Sequence, residues 1–141
     1  MSGTTGEPDA PAVRRFLPPR VNAETMRFWA AAQEGKLLYG HCNACHQTHY
    51  YPRSLCPYCF SDETQWKAAS GNAAVYTYSI MYRSPTGPYA IAYVTLAEGP
   101  SILTNLIDCE FERIKIGSPV KLVWKATEGD GTPPLPFFTA V

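Results

Sequence analysis

An excess of charge of either sign is missing from this chain. Twelve Lys and Arg stand against twelve Asp and Glu, and charged residues make up only 17% of the sequence. A polyanion needs a positive groove, and no basic run here is longer than Arg14-Arg15, so composition gives no footprint for nucleic acid. Long hydrophobic runs are also missing: none approaches the roughly 20 apolar residues that span a bilayer. Residues Met1 to Arg15 show no basic flank leading into an apolar core, so no secretory signal is expected and the cytoplasm is the expected location. Catalytic signatures are scarce as well. There is no G-x-S-x-G elbow, no phosphate loop and no H-E-x-x-H pair. Asp108, Glu110 and Glu112 cluster as a solvated charged turn does, and no catalytic residue is assigned.

What the chain has instead is aromatic surface, proline and cysteine. Nine Tyr, six Phe and three Trp make it 13% aromatic, within 141 residues that suit one domain or two small modules. Four parts follow from the pattern. Residues 1–21, with Pro8, Pro11, Pro18 and Pro19 and no apolar period, read as a flexible arm. Residues 22–35 read as a helix, with Asn22 as its N-cap and Gly35 in the left-handed position that stops it. Met26, Trp29, Ala30 and Gln33 share one side at spacings of three and four, with Phe28 beside them. This makes the segment a docking helix whose large aromatics, Phe28 and Trp29, meet a partner. Phe137 and Phe138 near the C-terminus add to the same expected surplus of aromatic surface.

Residues 36–70 hold the strongest signal. Cys42-Asn43-Ala44-Cys45 and Cys56-Pro57-Tyr58-Cys59 are two C-x2-C pairs separated by ten residues. Each pair can wrap a turn that presents two thiolates to one ion. Two such turns give the closed four-sulfur tetrahedron that zinc prefers, with no open position for substrate. Rubredoxin-type iron uses similar knuckles and is the competing ion. His41, His46 and His49 lie close by but are surplus to four sulfurs, and Cys109 stands alone as a small structural thiol.

From Val75 the period changes to two. Tyr76, Tyr78, Ile80 and Tyr82 alternate onto one face of a first strand. Further strands are expected at Tyr89–Leu96, Ile102–Ile107, Pro119–Lys125 and Leu135–Ala140, after loops rich in Pro and Gly. Five short strands without a long helix suggest a small closed barrel over residues 71–141, an OB-fold first and an SH3-like barrel second. The tyrosines allow one competing function, a module that stacks single-stranded nucleic acid, against which the lack of a basic groove counts.

An ordered string of motifs runs through these parts: Trp29-x6-Lys36-Leu37, the Cys42/Cys45 knuckle, Tyr51-Pro52-Arg53, Cys56-Pro57-x-Cys59, Trp66, Gly71, Val75-Tyr76-Thr77-Tyr78, and Ile114-x-Ile116-Gly117-x-x-Val120. In this order they resemble the rubredoxin-like zinc ribbon plus OB-fold family that accompanies thiolase-like acyl-CoA enzymes, over about residues 22–138. One departure is Gly71-Asn72-Ala73, where the family usually carries a second glycine. The resemblance implies a mainly β chain of N-terminal helix, zinc ribbon and five-stranded OB barrel. It implies a non-catalytic accessory subunit in a heteromeric complex, with no membrane or nucleic-acid partner. The enzyme it joins would be a thiolase-like or lipid-transfer-type aldolase or acyltransferase, or else an acyl-CoA hydratase. Acyl-CoA is then an expected ligand of the complex. If the barrel helps bind it, the contact edge is the loop from Tyr82 to Tyr89, because Arg83 suits a phosphate and the rings of Tyr82 and Tyr89 can stack on adenine; the alternative, slightly favoured, is a loop that contacts only the partner enzyme.

Overall fold

The computed structural model describes residues 14–141. One helix, α1 (Met26–Gln33), precedes eight strands: β1 (Leu38–Cys42), β2 (Thr48–His49), β3 (Thr64–Ala68), β4 (Asn72–Met81), β5 (Tyr89–Leu96), β6 (Ser101–Leu106), β7 (Pro119–Lys125) and β8 (Leu135–Ala140). The first three strands form an antiparallel ribbon in the order β2-β1-β3. The last five close into a barrel in the order β4-β5-β6-β8-β7, sealed by antiparallel β4–β7 pairing and one parallel contact, Leu106 with Phe138. This Greek-key closure is the OB arrangement, and it sets aside the SH3-like second choice.

The helix starts one turn later than Asn22. That side chain makes an Asx turn, its Oδ1 accepting from the N–H groups of Glu24 and Thr25. The residue preceding the first helical turn is Thr25, whose carbonyl accepts from the Trp29 N–H at 3.1 Å. Gly35 stops the helix as expected. At φ +78° it donates to Ala32, while Lys36 donates to Ala31, which is the paired-bond ending that left-handed glycine allows.

An eight-residue helix has too few hydrogen bonds to stand alone and must be held by packing. Phe28, Trp29 and Ala32 supply that packing. They join one continuous core with Leu37 of the ribbon and with Val75, Val94, Leu96, Ile102, Leu106, Val120 and Phe138 of the barrel. Phe28 meets Trp29 edge to face at 4.8 Å and Tyr50 of the ribbon at 5.8 Å. The helix is therefore the wedge that joins the two modules. The expected docking face is corrected accordingly: Phe28 and Trp29 are internal, and it is Met26 that faces solvent. Phe137 and Phe138 are buried too: Phe138 lies in the barrel core, and Phe137, on the opposite face of β8, packs against the Phe16 ring.

The arm also differs from expectation at its end. Most of it, residues 1–13, lies outside the described residues, but residues 14–16 are tied to the barrel. The Phe16 carbonyl accepts from the Glu128 N–H at 2.9 Å, its ring meets Phe137 edge to face at 4.9 Å, and Arg15 pairs with Glu128 at 3.5 Å.

Candidate metal centre and surface sites

The two C-x2-C turns are built alike. The N–H of the first cysteine of each pair donates to the carbonyl five residues on: Cys42 to Gln47 and Cys56 to Ser61, both at 2.9 Å. The carbonyls of the same cysteines accept from His46 and Phe60, also at 2.9 Å. His46 (φ 63°) and Phe60 (φ 64°) hold the left-handed conformation at equivalent places, the residue directly after each pair. Backbone N–H groups point at sulfur in both turns, Cys45 at the Cys42 Sγ and Tyr58 at the Cys56 Sγ, each at 3.4 Å.

This doubled turn brings all four sulfurs within 4.8 Å of one another, with Cys42–Cys59 at 3.6 Å and Cys45–Cys56 at 3.7 Å. Four thiolates at about 2.3 Å from one tetrahedral ion sit about 3.8 Å apart, so the donor set fits. None of the three histidines joins the cluster among the described residues. His41 and His46 face each other at 6.3 Å, and His49 is buried under β1 against Gly40.

Protons compete for these sulfurs. Burial pushes the Cys56 thiol up, but the N–H groups of Cys59 and Tyr58 and the neighbouring thiols outweigh it and bring it down to about 7. The Ser61 N–H lowers Cys59, yet burial and the thiols of Cys42, Cys45 and Cys56 push it up to about 12. Cys45 is raised in the same way against the pull of the Gln47 N–H. The first thiolate forms readily and the next ones are opposed by it, so a positive ion is what allows all four to ionise. Cys109 lies apart, in a cavity of about 360 Å3 at one end of the barrel, where burial raises its thiol against the Ala140 N–H. That is a neutral thiol and not an activated nucleophile.

The expected acyl-CoA loop is split by the structure. Tyr82 and Arg83 are exposed, whereas Tyr89 is half-buried and lies in a groove of about 370 Å3. The cation on its ring is Arg14, 4.2 Å from the centroid and 5.0 Å from that of Phe16. Lys125, Phe111 and Asp108 line the same groove. Arg83 is not among its walls, so Arg14 is the partner of Tyr89 that sequence reasoning missed. Nothing in a proline-rich arm signals which arginine folds back.

Bulging moves the first barrel strand off its expected alternation. Val75 pairs with Val94 and Thr77 with Tyr93, which leaves Tyr76 unpaired between them and 67% exposed. Tyr78 and Ile80 keep one register, opposite the buried Ala92 and Ala90. Tyr76 is separated from them.

Residues 29–65 match the model described as the ChsH2 rubredoxin-like zinc ribbon domain, and residues 66–125 match the ChsH2 C-terminal OB-fold domain. A DUF35 domain-containing scaffold protein of Methanocaldococcus jannaschii is 33% identical over 75% of this chain and 80% of its own length. The chain belongs to the DUF35 family. A probable enoyl-CoA hydratase alpha subunit of Thermomonospora curvata is 33% identical over 83% of this chain, which spans only 38% of that relative. Among solved structures, a chain of the Ltp2-ChsH2(DUF35) aldolase superposes with a TM-score of 0.73 at 32% identity, covering 86% of this chain and 98% of that one. Among the described residues, no helix is long and apolar enough to cross a membrane.

Proposed function

We propose that this chain is a non-catalytic accessory subunit of an acyl-CoA-processing complex, built on a structural zinc site and docked on a thiolase-like enzyme of aldolase or acyltransferase type. The observation that carries this reading is the likeness to the aldolase chain, which this fold covers to 98%. Relatives named as scaffold proteins support the same role. The hydratase name supports an acyl-CoA hydratase as the alternative enzyme partner. Four sulfurs leave no position for substrate, so the ion holds the ribbon's shape and takes no part in chemistry.

Acyl-CoA contact belongs in this reading to the groove of Arg14, Tyr89 and Lys125, flanked by Tyr82 and Arg83 on the preceding loop. A guanidinium and an ammonium suit phosphates, and the aromatic walls suit adenine. The nucleic-acid alternative gains nothing from the structure. The exposed Tyr76 and Tyr93 lie on strands that carry no cation to neutralise a phosphate backbone.

The test is co-expression with each thiolase-like enzyme and acyl-CoA hydratase encoded in the same genome, followed by size-exclusion chromatography with mass determination. A stable complex in which the enzyme gains solubility or turnover is the expected result. A chain that elutes alone beside every such enzyme would sink the reading. Calorimetry with acyl-CoA on that complex tests the groove: Arg14→Ala and Lys125→Ala should weaken binding, and unchanged affinity removes the groove from the site.

A further inference from the structure

Strands β4, β5 and β6 contain no charged residue at all. Inward positions explain half of that, since Val75, Ala90, Ala92, Val94, Ile102 and Leu106 are core. The outward positions need a separate reason, because a solvated antiparallel face is normally polar and carries charge. Cross-strand rows on this face run Thr77–Tyr93–Leu103 and Ser79–Ile91–Asn105. Leu103 is 58% exposed and Tyr93 46%, and with Ile91 they border a shallow apolar depression of about 170 Å3.

The edge of this sheet is open as well. Strand β7 pairs with β4 only from Asn72 to Ala74, so residues 76–81 have a neighbour on one side alone among the described residues. Tyr-Thr-Tyr-Ser-Ile-Met has high β propensity and none of the Lys, Pro or inward charges that guard a free edge. An apolar face beside an unguarded edge is a template for an added strand.

We propose that the outer face of β4–β6, centred on Tyr93 and Leu103 with the free edge of Tyr76–Met81, is the surface that docks the thiolase-like enzyme. This rests on the accessory-subunit reading. Three observations favour that occupant. The aldolase's DUF35 chain is covered to 98% by this fold, so the shared ribbon and barrel make up nearly all of it. The aromatics of α1 and β8 are spent on the core and leave this face as the large uncharged one on the barrel. Its mixture of tyrosine, threonine and serine with a few aliphatics suits a hetero-complex whose parts stay soluble before pairing, whereas permanent self-dimers are more uniformly apolar. The absence of charge means that the enzyme meets it with an uncharged surface or strand, since a buried unpaired charge there would be costly.

The experiment uses the full-length chain and the thiolase-like enzyme with which it co-elutes. Leu103→Lys and Tyr93→Lys should each weaken pairing about tenfold or more. Both should keep their metal and thermal midpoint, because these side chains are outside the core. Leu55→Lys, at an exposed position on the ribbon, is the control and should pair like the parent. Hydrogen exchange on the unmodified complex should slow at the amides of residues 76–81, a readout that needs no variant. Wild-type affinity in both lysine variants together with unprotected β4 amides overturns the docking face alone. A parent chain that pairs with no thiolase-like enzyme overturns this proposal and the reading beneath it. Loss of self-association in the lysine variants with enzyme pairing intact assigns the face to a second copy and also overturns the proposal.

Discussion

Gly40 lies directly against the imidazole of His49, so closely that a Cβ built on Gly40 falls inside the ring's van der Waals envelope. The two residues are cross-strand partners in the β1–β2 hairpin that carries the first cysteine turn. Backbone conformation is not what requires glycine here; space is. Gly40→Ala should therefore destabilise by overpacking, on the order of 1–3 kcal/mol. Denaturant midpoints for Gly40→Ala, His49→Ala and the double variant check it. The double variant should recover much of the loss, and purely additive effects would show that the ring is not the obstacle.

The same histidine predicts a pH effect. Both of its ring nitrogens are buried without a hydrogen-bond partner, and burial first, then the nearby Arg53 charge, lowers its pKa below the usual value. The unfolded chain takes up the proton at about pH 6.5, whereas the folded chain resists it to lower pH. Below that point the unfolded state binds more protons, so stability falls as pH drops from about 6.5 towards the folded pKa. His49→Gln should flatten this part of the stability–pH curve relative to the parent. Parallel curves would remove His49 as the cause.

His46 and Phe60 hold positive φ without being glycine, and both are exposed. A left-handed backbone costs an L-residue roughly 1–2 kcal/mol, partly offset by the entropy that glycine loses on folding. His46→Gly and Phe60→Gly should each leave stability unchanged or raise it by up to about 1 kcal/mol. A marked loss of thermal midpoint in either would show that its side chain has a packing role.

Legibility from sequence followed the strength of local rules. Strands Tyr89–Leu96, Pro119–Lys125 and Leu135–Ala140 were readable to the residue, because alternation and flanking Pro-Gly loops agree. The cysteine cluster was readable from spacing alone, since two tight turns leave little freedom. Side-chain destination was not readable where one residue type serves two purposes. Phe28 and Trp29 look the same in a sequence whether they meet a partner or the chain's own barrel, and the distant Val75 and Phe138 decide which. The bulge at Tyr76 was hidden for a related reason: no local residue marks it, and only the pairing with Tyr93 and Val94 reveals that the alternation slips.

The metal site gives the prediction with the largest expected effect. Cys42 and Cys56 are buried while Leu55, Tyr58 and Phe60 of the second knuckle are exposed, and the ribbon's sheet is only three strands with a two-residue β2. A module this small holds its shape through the ion, for which structural zinc contributes about 10–16 kcal/mol of apparent binding energy at neutral pH. The purified chain should carry one ion per chain by elemental analysis. Cys56→Ser removes a sulfur whose thiol is brought down to about 7, so it should lose the ion and unfold or precipitate. Cys109→Ser, whose thiol sits in the separate barrel-end cavity, should keep the ion and remain folded. Because Cys59 is pushed up to about 12 and Cys45 is raised, binding must displace protons, and affinity should fall steadily as pH is lowered. A chelator titration at several pH values reads that slope. Full metal content in Cys56→Ser, or a chelator midpoint that does not move with pH, would rule out a closed four-thiolate site.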